Sequence, residues 1–204
     1  YKVYNFLANV SYARALGDNL KIGFGLKYFR EDIVNMFAQG MAFDFGAHYN
    51  IGLGLRLGFS MSNIGPEAKF EGDGLQQYVD NSVSPSGILM RTTESFPLPQ
   101  ILRLGLQSKI MGSERNSLIR NNLLGLLISG DISKPIEGEM YASLGSELSI
   151  FDMFFVRLGS HINHDSATYG FGLGLDYRNF KIDYSLSDYG DLGQTGQFGI
   201  SLKF

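Results

Sequence analysis

Apolar and polar positions alternate at period two along most of this chain. Over residues 20–28, Leu20, Ile22, Phe24, Leu26 and Tyr28 share one face, while Lys21, Gly23, Gly25 and Lys27 share the other. The same division separates Met41, Phe43, Phe45, Ala47 and Tyr49 from Ala42, Asp44, Gly46 and His48. It sets Leu53, Leu55, Leu57, Phe59 and Met61 against Gly54, Arg56, Gly58, Ser60 and Ser62. Toward the C-terminus, Tyr169, Phe171, Leu173, Leu175 and Tyr177 oppose Gly170, Gly172, Gly174 and Asp176, and Phe180, Ile182, Tyr184 and Leu186 oppose Lys181, Asp183 and Ser185. Phe198, Ile200, Leu202 and Phe204 against Gln197, Gly199, Ser201 and Lys203 complete the series. Successive side chains of a strand point to opposite faces, so the pattern predicts an all-β fold. No stretch carries the i, i+3, i+4, i+7 stripe of an amphipathic helix.

About eleven strands are predicted, near 3–14, 20–30, 38–50, 52–63, 99–110, 118–131, 139–149, 153–163, 168–177, 180–187 and 196–204. Ordinary strands average about 5 to 6 residues, whereas a tilted membrane crossing needs about 9 to 11. The lengths therefore predict a transmembrane antiparallel β-barrel, one domain over 1–204, with a soluble β-barrel binding protein as the competing architecture. Tight turns at 17–19, 49–52, 151–152 and 178–179 and a looser link at 111–117 mostly alternate with connections at 30–35, 65–95, 133–139, 164–167 and 188–195. Outer-membrane barrels have short periplasmic turns and longer extracellular loops, which places the C-terminus in the periplasm. An even-stranded closed barrel cannot hold eleven strands, and an open one would leave unpaired backbone groups against lipid.

Composition narrows the classes. Hydrophobic residues make up 44 % and mean hydropathy is −0.02, yet no run of about 18 to 20 apolar residues exists that could cross a bilayer as a helix. A polar lumen face and a lipid face that cancel on average give this balance. The net charge of −3 is spread along the chain with no basic run, so nucleic acid is not an expected partner. Cysteine is absent, which removes disulfides and thiolate chemistry. The chain opens at Tyr1 inside an alternating segment, without an n-region or h-region.

The segment Phe180-Lys-Ile-Asp-Tyr-Ser-Leu-Ser-Asp-Tyr-Gly-Asp-Leu-Gly-Gln-Thr-Gly-Gln-Phe-Gly-Ile-Ser-Leu-Lys-Phe204 resembles the end of the PorV/PorQ family of outer-membrane proteins. So do Ala42-Phe-Asp-Phe-Gly-Ala-His-Tyr49 followed by Gly54-Leu-Arg-Leu-Gly58 and Ser62-Asn-Ile-Gly65, and Pro97-Leu-Pro99 leading into Leu102-Arg-Leu-Gly105. The family is related to the fatty-acid-channel superfamily of fourteen-stranded barrels with an N-terminal plug. The resemblance implies that about three strands, the plug and a signal peptide precede Tyr1. The family's Asn-Pro-Ala motif is not in this chain.

Candidate chemistry is sparse. His48, His161 and His164 have no metal-ligand spacing and are expected as hydrated histidines. Ser160 and His161 are adjacent on one strand and point to opposite faces, so they cannot act as nucleophile and base, and no Gly-x-Ser-x-Gly elbow occurs. Gly170-Phe-Gly-Leu-Gly174 has the wrong spacing for a phosphate loop and is read as a small lumen face. No enzyme, cofactor or metal is expected.

The predicted lumen-facing set is Lys21, Lys27, Asp44, His48, Arg56, Arg103, Glu147, Arg157, Asp176, Lys181 and Asp183; its mixed charge suits internal pairing better than a single-sign ion filter. The predicted lipid-facing set is Phe24, Phe43, Leu57, Leu104, Val156 and Leu173. Phe198, Ile200, Leu202 and Phe204 resemble an assembly signal for the barrel-assembly machinery. The segment 65–95 is too long for a hairpin and is either folded onto the rim or a partner-binding or gating surface. The expected function is a plugged outer-membrane channel for hydrophobic small molecules. The alternative is a type IX-like secretion accessory that binds secreted proteins at the cell surface.

Overall fold

The computed structural model describes residues 2–79, 87–90, 93–114 and 117–203. Its strands are β1 (Val3–Leu16), β2 (Leu20–Ile33), β3 (Met36–Gly52), β4 (Leu55–Ile64), β5 (Gln76–Val79), β6 (Gly87–Met90), β7 (Ile101–Gly112), β8 (Ile119–Arg120), β9 (Leu124–Pro135), β10 (Tyr141–Ile150), β11 (Phe154–Ile162), β12 (Tyr169–Tyr177), β13 (Phe180–Asp188) and β14 (Gln194–Leu202). The main sheet follows β1-β2-β3-β4-β7-β9-β10-β11-β12-β13-β14, with β8 beside β7 and with β5-β6 as a separate ribbon. Each of the eleven predicted strands has its counterpart on this path. Among the described residues there is no α-helix, and no helix long and apolar enough to cross a membrane.

Two connections differ from expectation. β2 runs on to Ile33 and β3 begins at Met36, so the connection predicted at 30–35 shrinks to a turn in which Val34 takes φ 56°. A β-branched residue rarely adopts that region. The strand predicted from 118 begins at Leu124: Ile119 and Arg120 pair in parallel with Met111 and Gly112, and Asn121 Oδ1 then accepts the N–H groups of Leu123 and Leu124.

The residues group into two compact units, Tyr1–Arg14 with Gly23–Phe45 and Met61–Gln100, and Ala15–Ile22 with Gly46–Ser60 and Ile101–Phe204. In the second unit the antiparallel register aligns the alternation across strands. Arg103 lies opposite Ser133, Ser133 opposite Tyr141, Ser143 opposite both Asp131 and His161, and Glu147 opposite Arg157. The same face continues through Gly172, Ser185 and Gln197. Ile101, Leu127, Tyr141 and Phe155 interrupt its small and polar character. The opposite face carries Leu104, Ile132, Leu144, Leu158, Phe171 and Leu186.

It is the apolar face that lies open: Leu104 and Leu144 are each 55 % exposed and Leu158 57 %, whereas Ser133 on the polar face is 1 % exposed. Among the described residues the only buried hydrophobic side chains are Ala38, Ala42, Ala68 and Leu98. This burial is inverted relative to a protein that folds in water.

All four belong to the first unit, where the segment after β4 returns to the sheet. Ala68 bridges Phe96, and Phe37 bridges Glu71. Ala42, Ala68 and Leu98 form a small cluster against which Phe29 and Phe96 pack. Gly40 makes room for it, since a Cβ there would lie 2.9 Å from the Phe29 ring. Ala42 and Gly40 share the face of Asp44, so this segment lies on the small and polar side of β3.

Candidate functional site

Charges on the polar face are tied to one another across strands. Arg157 Nε donates to Glu147 Oε2 at 2.7 Å, and Arg157 Nη1 donates to Asp183 Oδ1 at 2.7 Å. Lys181 Nζ lies 3.5 Å from the other oxygen of Asp183. Lys203 Nζ meets Asp176 Oδ2 at 2.8 Å. Arg56 and Lys109 share Glu114, at 3.2 and 2.8 Å. In the first unit Lys27 Nζ meets Asp44 Oδ2 at 2.7 Å and donates to Asn63 Oδ1 at 2.8 Å. Asn63 in turn donates its backbone N–H to Asp44 Oδ1 and its Nδ2 to Pro99 O, both at 2.9 Å. This clamp fixes the returning segment beside the Ala42–Ala68–Leu98 cluster.

Thus Lys27 is brought to Asp44, Arg157 to both Glu147 and Asp183, Lys181 to Asp183, and Asp176 to Lys203 on the polar side of the last strand, while Arg56 finds its partner, Glu114, outside the expected inward-facing charges. Arg103 has no ion-pair partner among the described residues and lines a recess of about 540 Å³ with Asp131, Ser133, Tyr141, Ser143 and His161. His48 is half-buried and Lys21 exposed. Of the predicted lipid-facing residues, Phe24, Phe43, Leu57, Leu104 and Leu173 are exposed and Val156 is half-buried. Phe154, Val156, Leu173, Leu175, Ile182 and Tyr184 line an apolar groove of about 350 Å³. Phe198, Ile200 and Leu202 are exposed, and Phe204 lies outside the described residues.

One contact was not legible from spacing. Ser143 Oγ and His161 Nδ1 lie 3.1 Å apart. Asp131 stands opposite Ser143 on the side away from His161, so the serine separates carboxylate from imidazole. A nucleophile, base and orienter need the imidazole in the middle. No group of three or more His, Cys, Asp or Glu that could hold a metal occurs among the described residues.

No protein-family model matches the chain, and no curated protein matches it. Among solved structures it is similar to the toluene transporter TbuX of Ralstonia pickettii, with TM-score 0.53 and 12 % sequence identity, over 97 % of this chain and 66 % of the transporter chain. The two share a fold. The chain thus spans about two thirds of the length of the structure it matches. This likeness supports a barrel fold like that of the transporter and does not single out the PorV/PorQ family.

Proposed function

We propose that this chain is a channel-type outer-membrane β-barrel protein that admits small hydrophobic molecules. The observation that carries the reading is the inverted sheet. Its apolar face is open while charges on its polar face are tied to one another by hydrogen bonds and ion pairs, which suits hydrocarbon on one side and an internal face on the other. The shared fold with a toluene transporter supports a channel, and the apolar cluster of Ala42, Ala68 and Leu98 supplies a greasy patch on an otherwise polar side. The tight turns after β1, β3, β10 and β12 and the end of β14 fall at one end of their strands, since Leu202 pairs with Phe180 just after the Arg178–Asn179 turn. In this reading that end is periplasmic. The exposed Phe198, Ile200 and Leu202 support β14 as the strand read by the assembly machinery. The secretion-accessory reading rests on the family resemblance alone, and no feature of the described residues favours it.

The test is uptake in intact bacterial cells, whose lipopolysaccharide leaflet is the barrier to such molecules. Cells displaying the full-length protein are expected to take up labelled toluene faster than vector controls. Equal uptake, with folded protein present in the outer membrane, would overturn the transport reading.

A further inference from the structure

Arg178 sits in the turn between β12 and β13 with φ 56°, a backbone region that favours glycine or asparagine. Its guanidinium lies over the Tyr177 ring, 5.2 Å from the centroid. Tyr177 shares a face with Leu173 and Leu175, so this contact draws the cation to the apolar side of the sheet. Arg178 is exposed and has no ion-pair partner among the described residues. The rest of the turn is engaged elsewhere. Lys203 donates its backbone N–H to Asn179 O, and Asn179 Nδ2 donates to Lys203 O. Lys203 Nζ meets Asp176, the carboxylate next to this turn, on the polar side.

The apolar groove leads up to this cation. Its walls are two cross-strand rows, Phe154–Leu175–Ile182 and Val156–Leu173–Tyr184. Tyr177 and Phe180 stand opposite one another and form the next row toward the turn, about 7 Å further along the strands. They are 51 % and 57 % exposed. Aromatic rings in that position mark the level of the lipid headgroups, where an arginine can keep its charged end in water. Groove, ring row and cation thus follow one another in the order of an acyl chain, a glycerol backbone and a phosphate.

We propose that the groove and Arg178 together hold one anionic phospholipid of the surrounding bilayer, of the phosphatidylglycerol class. An acyl chain fills the groove, and the phosphate meets the Arg178 guanidinium, whose planar fork matches phosphate oxygens. Phosphatidylethanolamine carries its own ammonium beside the phosphate, so the unpaired arginine favours the headgroup with net negative charge. This also accounts for an arginine at a left-handed position where it gains no contact within the protein beyond the Tyr177 ring. The proposal rests on the reading of this face as bilayer-facing and not on transport, so toluene uptake does not bear on it.

Native mass spectrometry of the full-length protein, purified in mild detergent with phosphatidylglycerol or phosphatidylethanolamine of matched chains, tests the site. The parent is expected to retain phosphatidylglycerol about fivefold over phosphatidylethanolamine. Arg178→Asn, which suits the turn, should bring the two lipids to parity. Val156→Trp fills the groove and should lower retention of both in protein that heat-modifiable gel mobility shows to be folded. On the parent itself, dihexanoyl-phosphatidylglycerol should be retained less than the long-chain lipid, and glycerol phosphate should not displace the long-chain lipid. Parity in the parent, a preference that survives Arg178→Asn, retention independent of chain length, or displacement by glycerol phosphate would each overturn the site. Whether the face meets the bilayer at all is read separately, from the stability of Leu173→Arg in vesicles.

Discussion

Arg157 on β11 donates to Asp183 on β13 at 2.7 Å, passing over the strand between them. It can do so because β12 presents no side chain there. A Cβ on Gly174 would lie 2.9 Å from Asp183 Oδ1 and 3.1 Å from Arg157 Nη1, whereas at Gly170 the nearest atoms would be an ordinary 3.6 and 3.7 Å away. Parting the two side chains leaves half-buried charge without its hydrogen bond. Gly174→Ala is therefore expected to cost about 1 to 3 kcal/mol, and Gly170→Ala within about 0.5 kcal/mol. Urea unfolding of the protein in vesicles measures both. Equal losses at the two positions would show that the bare stretch of β12 does not serve this bridge.

The exposed apolar face gives a sharper contrast. Leu104 and Leu173 are 55 % and 45 % exposed. In water an exposed leucine exchanged for arginine changes stability by within about 0.5 kcal/mol. In hydrocarbon near the bilayer midplane the same change costs about 2 to 4 kcal/mol. Leu104→Arg and Leu173→Arg are expected to show the larger figure when folded into vesicles. A change within the smaller range would remove this face from the bilayer.

The eleven strands of the main path were legible because period two runs through most of them, and a one-residue slip would have exchanged Leu173 with Gly172 across the faces. What stayed hidden depends on register or on distant segments. Arg157 and Glu147 belong visibly to one face, but that they stand directly opposite follows only from how β10 and β11 align. The Ser143–His161 contact has the same origin. Residues 65–75 and 93–100 show no alternation, because their order comes from two short bridges and from Asn63 rather than from a ladder. A turn near Asn35 was expected, but the left-handed backbone falls on β-branched Val34, which its residue type does not signal.

Asn63 is the hinge of that returning segment, with φ 59° and its side-chain amide on Pro99 O. Asparagine tolerates this backbone region better than most residues. Asn63→Asp keeps the oxygen that accepts from Lys27 but loses the donor to Pro99 and adds a negative charge beside Asp44. Limited proteolysis is expected to cut within 93–100 faster in Asn63→Asp than in the parent, with the strands left intact. Unchanged cleavage would mean that Asn63 does not hold the segment.

Leu98 decides whether the apolar cluster is only structural. It is 6 % exposed and packs with Ala42 and Ala68 on the side of β3 that carries Asp44. Truncation to alanine removes buried methyl groups and should cost about 2 to 5 kcal/mol if the site cannot collapse. If the cluster lies on the route of a hydrophobic solute, the same truncation widens the route and leaves its greasy lining. Leu98→Asp would instead place an unpaired carboxylate in it. Uptake of labelled toluene, normalised to folded protein at the surface by heat-modifiable gel mobility, is expected to hold or rise in Leu98→Ala and to fall in Leu98→Asp. A structural role alone would lower the amount of folded protein in both and leave the normalised uptake equal. That outcome would take the cluster off the route while leaving the sheet and its membrane-facing side as described.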